Sequence, residues 1–437
     1  MSIEHSGFEL NVKMSGTGLL YPHKFYDRTS LSSSSTEGAG KILKKIVVIG
    51  GPGAMGTVII RDLLENSSSL EHLEIADFDK EKAVRLKNQL NDNRVGASFV
   101  NIKDASTMAR ALDQTTIVIN STPYYNNVDV MKAALEAKCH YIDLGGLFHV
   151  SRKQFELDEE FKRAGLMAVL GMGAAPGLTN VMAASAALEL ERIHSIDIVV
   201  GCADFTVTDH PFLPPYALET LLDEYCKEPM VYEDYEYVAK PPMSGEIPVE
   251  FPEPVGKVLA IYTLHSEVLT LPTSYSLKGL QRATFRLGLP MEFHNKLKFL
   301  SELGFSGAES ISYPDGNFVP RKILAEMIKR IPSTLTDPDD AEVIRVDVNG
   351  SLEGKDKLIR HESIIKTDKT RKISCGALDT GVPPSIVADM ILNGEIARKG
   401  VLAPENCVPQ SMFFERLAKR NIAVTKEELA CKETVYS

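Results

Sequence analysis

Lys44-Lys45-Ile46-Val47-Val48-Ile49-Gly50-Gly51-Pro52-Gly53-Ala54-Met55-Gly56 is the stretch from which the fold can be read. An apolar run ends in a glycine cluster, and helical periodicity follows over 57–64. Gly51, Gly53 and Gly56 stand at GxGxxG spacing, which gains its meaning from the strand before it and the helix after it. Each glycine has its own task. Gly51 lets the chain turn out of the strand, Gly53 removes a side chain where a pyrophosphate approaches, and Gly56 lets helix and strand pack closely. The N–H groups of Ala54 and Met55 open the helix, where a positive dipole end suits phosphate.

The next apolar run, 73–79, ends in acid. Asp77 is placed to accept hydrogen bonds from an adenosine ribose, and it would repel a 2′-phosphate. No arginine follows it, so NAD is the expected cofactor and NADP the disfavoured one. The alternation then continues, with helices at 80–91, 107–112, 128–137 and 154–164 and strands at 97–100, 116–120, 140–144 and 166–170. Strands alternating with helices predict a Rossmann-type doubly wound parallel sheet over 43–194.

Beyond it the pattern changes. Strand signals at 196–201 and 343–348, and a turn at 353–356 leading into 357–365, predict an α+β second domain over 195–379 with a mixed or antiparallel sheet. Helical patterns at 384–392 and 410–419 lie in a tail, 380–437, expected to return to the dinucleotide-binding domain. Residues 1–42, with a Ser/Gly-rich run at 30–40, are expected to be a flexible extension without a secretory signal.

Three strand ends supply the loops where ligands bind in such sheets. They run over 120–126, 143–147 and 171–180. Ser121, Thr122 and Pro123 are placed to line the cofactor. Gly145, Gly146, Pro176 and Gly177 leave room for a nicotinamide and substrate. Pro176 also suits a helix start whose N–H groups meet a carboxylate.

GGPGAMG at 50–56, STPYYNN at 121–127, HYIDLGG at 140–146 and GMGAAPGLTN at 171–180 resemble the saccharopine dehydrogenase-like oxidoreductases. LPPYALET at 213–220, FPEPVGK at 251–257, YTLHSE at 262–267, TLP at 270–272 and GVLAPE at 400–405 add to the likeness and look most like the lysine 6-dehydrogenase branch. The resemblance spans about residues 44–430 and implies oxidation of a carbon–nitrogen bond by hydride transfer to a nicotinamide, or the reverse. For that branch the substrate would be L-lysine, oxidised at its 6-amino group. The alternatives are a saccharopine- or opine-type reductase, an NAD-bound cyclodeaminase, or a dinucleotide-binding protein without turnover. The resemblance also implies a second domain that closes over the cofactor and supports a homodimer. Met172 stands where relatives carry Cys, and a thioether cannot serve as acid or base.

Such chemistry needs a proton acceptor for an ammonium whose pKa lies near ~10.4, and a cation for a carboxylate. His265 is the foremost proton-transfer candidate, and it alternates with Glu267 in an expected strand. Of Tyr124 and Tyr125, one is expected in the pocket and the other in its wall. Asp143 either holds an ammonium or polarises a water, or else forms a turn. Arg282, with Arg286, is a candidate carboxylate clamp. His210 and Asp158 are lesser candidates.

The net charge of −11 argues against a nucleic-acid partner. No apolar run reaches membrane-spanning length. The six cysteines are scattered without a CxxC, so reduced thiols, no metal site and a cytoplasmic setting are expected.

Overall fold

The structure is a computed structural model, and it describes residues 43–429 apart from 315, 333, 335 and 336. The N-terminal extension expected over 1–42 lies outside the described residues. The first sheet is built from β1 (Lys45–Ile49), β2 (His72–Asp77), β3 (Val95–Phe99), β4 (Ile117–Asn120), β5 (His140–Asp143) and β6 (Met167–Val169). All pair in parallel in the order β3-β2-β1-β4-β5-β6. Helices cover both faces, so the strands are apolar without alternation: Ile46, Val47, Val48 and Ile49 are all fully buried. This is the doubly wound order, and it places the β1 and β4 ends at the switch point where dinucleotides bind.

The second sheet is mixed. It holds β7 (Arg192–Asp204), β8 (Met230–Glu233), β9 (Glu236–Ala239), β10 (Ile247–Glu250), β11 (Lys257–Tyr262) and β12 (Arg282–Gly288). A small separate hairpin, β13 (Ile311–Tyr313) and β14 (Gly316–Phe318), precedes the long pair β15 (Asp340–Leu352) and β16 (Lys355–Lys366). β7 is central, parallel to β12 and antiparallel to β15. The fold class is therefore the one the sequence pattern predicts.

The tail rejoins the first sheet. Helix Cys375–Leu392 lies against helix Ala54–Asn66 so closely that a Cβ on Gly381 would stand 2.7 Å from Val58 Cβ. In that first helix Asp62 is buried and accepts from Ser385 Oγ at 2.5 Å and from Arg420 Nε at 2.6 Å. The strand β17 (Gly400–Leu402) then pairs in parallel with β6 as the seventh strand, and Asp158 Oδ1 accepts from Val401 N at 2.8 Å. The last strand, β18 (Val424–Leu429), pairs with β16 of the second sheet. The tail thus stitches both sheets.

Two local expectations are corrected. The single helix at 154–164 is two, Leu147–Phe155 and Asp158–Arg163, because Leu157 turns inward between them and is buried. The strand expected through His265 and Glu267 ends at Tyr262, where pairing with β12 stops at Arg286. His265 lies in a loop and Glu267 begins helix Glu267–Tyr275. Among the described residues no helix is long and apolar enough to cross a membrane.

Candidate active site

The glycine turn fits a dinucleotide. Gly50 takes the left-handed conformation, φ +78°, so the sharp turn belongs to it and not to Gly51. Gly51 and Gly56 serve packing. A Cβ on Gly51 would meet Ile75 Cγ2 at 2.8 Å, and one on Gly56 would meet Gly50 O at 2.5 Å. Gly53 is exposed and meets only Gly50 O, so its bare Cα faces outward. Helix Ala54–Asn66 has no side-chain cap and no acid in its first turn, which leaves its N–H groups to an anion. At the end of β2, Asp77 Oδ1 accepts from Asp79 N at 2.7 Å, which leaves Oδ2 for a ribose hydroxyl. Phe78, 71 % exposed, tilts against the exposed Phe99 beside it, an apolar platform of the kind an adenine covers.

The β4 loop is locked from behind. Ser121 Oγ donates to Ile49 O at 2.7 Å, and Asn120 Oδ1 accepts from Thr122 Oγ1 at 2.7 Å. Asn120 Nδ2 in turn donates to Asn127 Oδ1 at 2.9 Å. Pro123 is exposed at the rim. A Cβ on Gly50 would press on Thr122 and Ser121, so β1 and β4 ends need that glycine as much as the ligand does.

Asp143 does not hold substrate. It is fully buried and accepts four donors: Gln154 Nε2 at 2.6 Å, Gly171 N at 2.7 Å, Tyr141 Oη at 2.9 Å and Gly145 N at 3.0 Å. Burial raises its pKa against the pull of these donors. It therefore fastens the β5 and β6 loops together. Pro176 is likewise buried, packed so tightly that Cβ atoms on Gly145 and Gly171 would meet its ring at 3.1 and 2.7 Å. The helix start it was expected to offer is already satisfied. Gly177 N donates to Asn180 Oδ1 at 2.9 Å, Leu178 N to Gly173 O at 2.9 Å and Thr179 N to Ala174 O at 3.1 Å. Gly146 is buried against Ser151 and Gln154, which leaves the partly exposed Gly145 as the open part of that loop.

Two adjacent carboxylates on helix Leu218–Cys226 organise the rest. Asp223 and Glu224 are each 3 % exposed. Asp223 accepts the Tyr124 hydroxyl and pairs with Arg321 NH1 at 2.8 Å and Lys227 Nζ at 3.2 Å. Burial, followed by Asp223, drives the Tyr124 phenol far above its ordinary range, so it stays a donor. Lys227 Nζ also donates to Tyr124 Oη at 2.9 Å. Tyr125 is half exposed, and burial with nearby Glu219 pushes its phenol up to about 12. Tyr124 thus anchors the cofactor domain to the second domain, while Tyr125 stands at the surface.

Glu224 faces the other way. It accepts the Tyr216 hydroxyl, and its Oε1 lies 3.6 Å from His265 Nε2. On the opposite side of the ring, His265 Nδ1 lies 3.4 Å from Glu267 Oε2. The imidazole stacks on Phe285 with centroids 3.5 Å apart and planes at 14°. Burial presses the His265 pKa down, but Glu267 and Glu224 outweigh it and raise it to about 9. At neutral pH it is an imidazolium held between two carboxylates. Glu267 Oε1 accepts from Thr179 Oγ1 at 3.0 Å, which ties this group to the loop after β6.

Arg282 does not join this group. It forms an ion pair with Asp197 at 2.5 Å and is half exposed. It alternates with Phe285 along β12, so it belongs to the other face of the sheet. Arg286 on that face is buried, donating to Tyr262 Oη at 2.5 Å and to Gly245 O at 3.0 Å. His210 is held by Ile328 O and by its own loop. The sequence reading missed Asp223, Glu224, Lys227 and Arg321. The available signal was an Asp-Glu pair inside the apolar helix LETLLDEYC, since carboxylates are seldom buried unless partnered.

Residues 46–169 match the family described as saccharopine dehydrogenase NADP binding domain, and residues 173–422 match the saccharopine dehydrogenase C-terminal domain. The chain belongs to the saccharopine dehydrogenase family. Family membership makes it an NAD(P)-dependent oxidoreductase acting on amine groups. The carboxynorspermidine synthase of Vibrio cholerae is 26 % identical over 397 residues, covering 84 % of this chain and 93 % of its own. The carboxyaminopropylagmatine dehydrogenase of Synechocystis sp. is 23 % identical over 393 residues, covering 86 % and 96 %. The solved apo saccharopine dehydrogenase (L-Glu forming) of Saccharomyces cerevisiae shares the saccharopine dehydrogenase fold at a TM-score of 0.69 and 16 % identity, with 89 % of this chain and 100 % of that one covered.

Proposed function

We propose that the protein joins a polyamine-type primary amine to a small aldehyde bearing a carboxylate, by reduction of the iminium they form. Oxidation of L-lysine at its 6-amino group is the second reading. The observation that carries the first is the imidazolium of His265 held between Glu224 and Glu267. A group already charged at neutral pH is a proton donor, and reductive coupling needs one where amine oxidation needs a base. The names of the Vibrio and Synechocystis relatives, which denote a carboxylated polyamine and a carboxylated agmatine derivative, agree with it.

The amine adds to the aldehyde carbon to give a carbinolamine. His265 gives its proton to the departing hydroxyl, which leaves as water, and the nitrogen's lone pair forms the iminium bond. The reduced nicotinamide, when bound, would supply a hydride to the iminium carbon, which turns the double bond into the single carbon–nitrogen bond of a secondary amine. Lys227, half exposed beside Tyr124, is the cation for the aldehyde's carboxylate, the part first given to Arg282. The dinucleotide would lie over the Gly50–Gly56 turn with its ribose at Asp77.

The test is consumption of reduced nicotinamide by purified protein given a diamine and a carboxylate-bearing aldehyde. Turnover with both, and none with either alone, is expected. Reduction of NAD by L-lysine alone, with no coupling activity, would install the second reading instead.

A further inference from the structure

A cleft of about 670 Å³ lies where three distant stretches of the chain meet. The C-terminal half of helix Ala54–Asn66 gives Arg61, Asp62 and Glu65 to its wall. The end of β16 and the turn after it give Lys366 and Arg371, and the tail gives Arg420. Small-molecule sites occupy about 300–1,000 Å³, so the cleft has room for a ligand. It is separate from the dinucleotide turn, because Arg61 stands two helical turns past Ala54, roughly 10 Å along the axis. Its floor is apolar, made of the buried side chains Val58, Ile365, Val382 and Ile422.

Its charge is opposite to that of the protein. Six Arg or Lys line the cleft against three Asp or Glu, in a chain whose net charge is −11. The three acids are already engaged. Asp62 holds Arg420 Nε and Ser385 Oγ, Glu65 pairs with Arg371 at 2.7 Å, and Asp368 accepts from Thr370 N and Arg371 N. Two of the cations turn elsewhere, Lys369 to Asp339 at 3.0 Å and Lys419 to Glu415 at 2.8 Å. Arg61 and Lys366 form no ion pair or hydrogen bond among the described residues, since Glu65, one turn beyond Arg61, is taken by Arg371. The Arg420 side chain is only 12 % exposed. Asp62 and Arg416 O occupy its Nε and Nη1, and its Nη2 has no acceptor among the described residues.

A single cation on a convex surface is solvated and needs no partner. Three unanswered cations around one concavity are different, because a cleft concentrates their field and draws in a counter-ion. The C-terminal dipole end of the first helix adds about half a negative charge, which the three exceed. A monocarboxylate would answer one of them. A phosphoryl group brings a charge of about −1.5 to −2 and three acceptor oxygens, and it matches arginine forks in pairs. The apolar floor receives the carbon body that such a group is attached to.

Independently of the coupling reaction, we propose that this cleft binds a small organic phosphate other than the dinucleotide, with Arg61, Lys366 and Arg420 on its phosphoryl oxygens. Bound there, the ligand bridges the first helix, the second sheet and the tail.

Calorimetric titration of the full chain tests this without turnover. The cofactor site is first saturated with NADH or NADPH, and salt is held at about 0.15 M so that loose ion pairing is screened. Phenyl phosphate is the probe and benzoate, with a similar body and a single charge, is its control. Phenyl phosphate should bind at one site per chain, about tenfold or more tightly than benzoate. Arg61→Ala and Lys366→Ala should each weaken it about tenfold, a difference of about 1.4 kcal/mol. Lys132→Ala, on helix Asn127–Ala137 outside the cleft, should leave it unchanged. Arg61 and Lys366 are exposed, so both variants should keep the unliganded melting temperature of the wild type. No binding of phenyl phosphate by the cofactor-saturated wild type overturns the proposal, as does equal binding of benzoate. So does full affinity in the Arg61→Ala, Lys366→Ala double variant. A lowered unliganded melting temperature in both single variants would make these cations structural and overturn it too.

Discussion

Asp143 and Asp379 are both completely buried, both lie close to the substrate loops, and both are pushed toward the protonated form by burial. They differ in donors. Asp143 receives four hydrogen bonds, two of them from the backbone of loops it holds together. Asp379 receives a long one from its own neighbour Thr380 and shares another with the acid Glu342, which also repels it. Burial alone therefore separates nothing. The kind of partner separates them, because an acid held by neutral donors ties loops together while one paired with a second acid must share a proton with it.

The comparison breaks most easily through stability. Asp143→Ala leaves the Gly145 and Gly171 N–H groups, Gln154 and Tyr141 without their acceptor, and a loss of about 3–5 kcal/mol is expected in denaturant unfolding. Asp379→Asn removes a buried, repelled acid, so its stability should hold or rise by up to about 1 kcal/mol. Equal losses in the two variants would erase the distinction.

His265 sharpens it next, as a buried ring flanked by two carboxylates at 3.6 and 3.4 Å. Its pKa is raised to about 9 from an unfolded value near ~6.5. Its stabilising contribution is therefore whole below about pH 6.5 and disappears as pH rises through about 9, an effect of the order of 3 kcal/mol. The stability gap between wild type and His265→Asn should shrink across that window. A gap independent of pH would mean the ring is neutral throughout. The same window should bound the coupling rate on its alkaline side.

Asp77, partly buried at the end of β2, bears on cofactor choice and not on stability. Asp77→Ala should weaken NADH binding about tenfold and narrow the gap to NADPH, as read by titrating reduced-nicotinamide fluorescence. Unchanged selectivity would give cofactor choice to other residues, in line with the family's description as NADP binding.

The cofactor half of the site was legible because it is local. A strand, three glycines, a helix and an acid follow one another within a short run, and each has its own period or spacing. The other half is not local. Glu224 comes from a helix, His265 from a loop, Phe285 from a strand and Arg321 from a later helix. No spacing relates them, and only the mixed sheet brings them together. His265 was singled out by its chemistry, yet its alternation with Glu267 suggested a strand that the chain abandons at Tyr262. Asp143 and Pro176 misled for a related reason. Strand ends attract both ligand groups and the residues that hold loops shut, and sequence does not count hydrogen bonds. Arg282 was chosen for its charge, but Asp197 on the neighbouring strand neutralises it.

The strand Gly400–Leu402 has a consequence for synthesis. It completes the cofactor sheet from the far end of the chain, beside a strand made before the second domain has begun. On the ribosome, β6 must wait as an open parallel edge while the whole second domain emerges, and the slowest contacts to form are those farthest apart in sequence. The nascent chain is thus not two beads finished in turn, and a product truncated before Gly400 would expose a sticky sheet margin with its cofactor cradle already built.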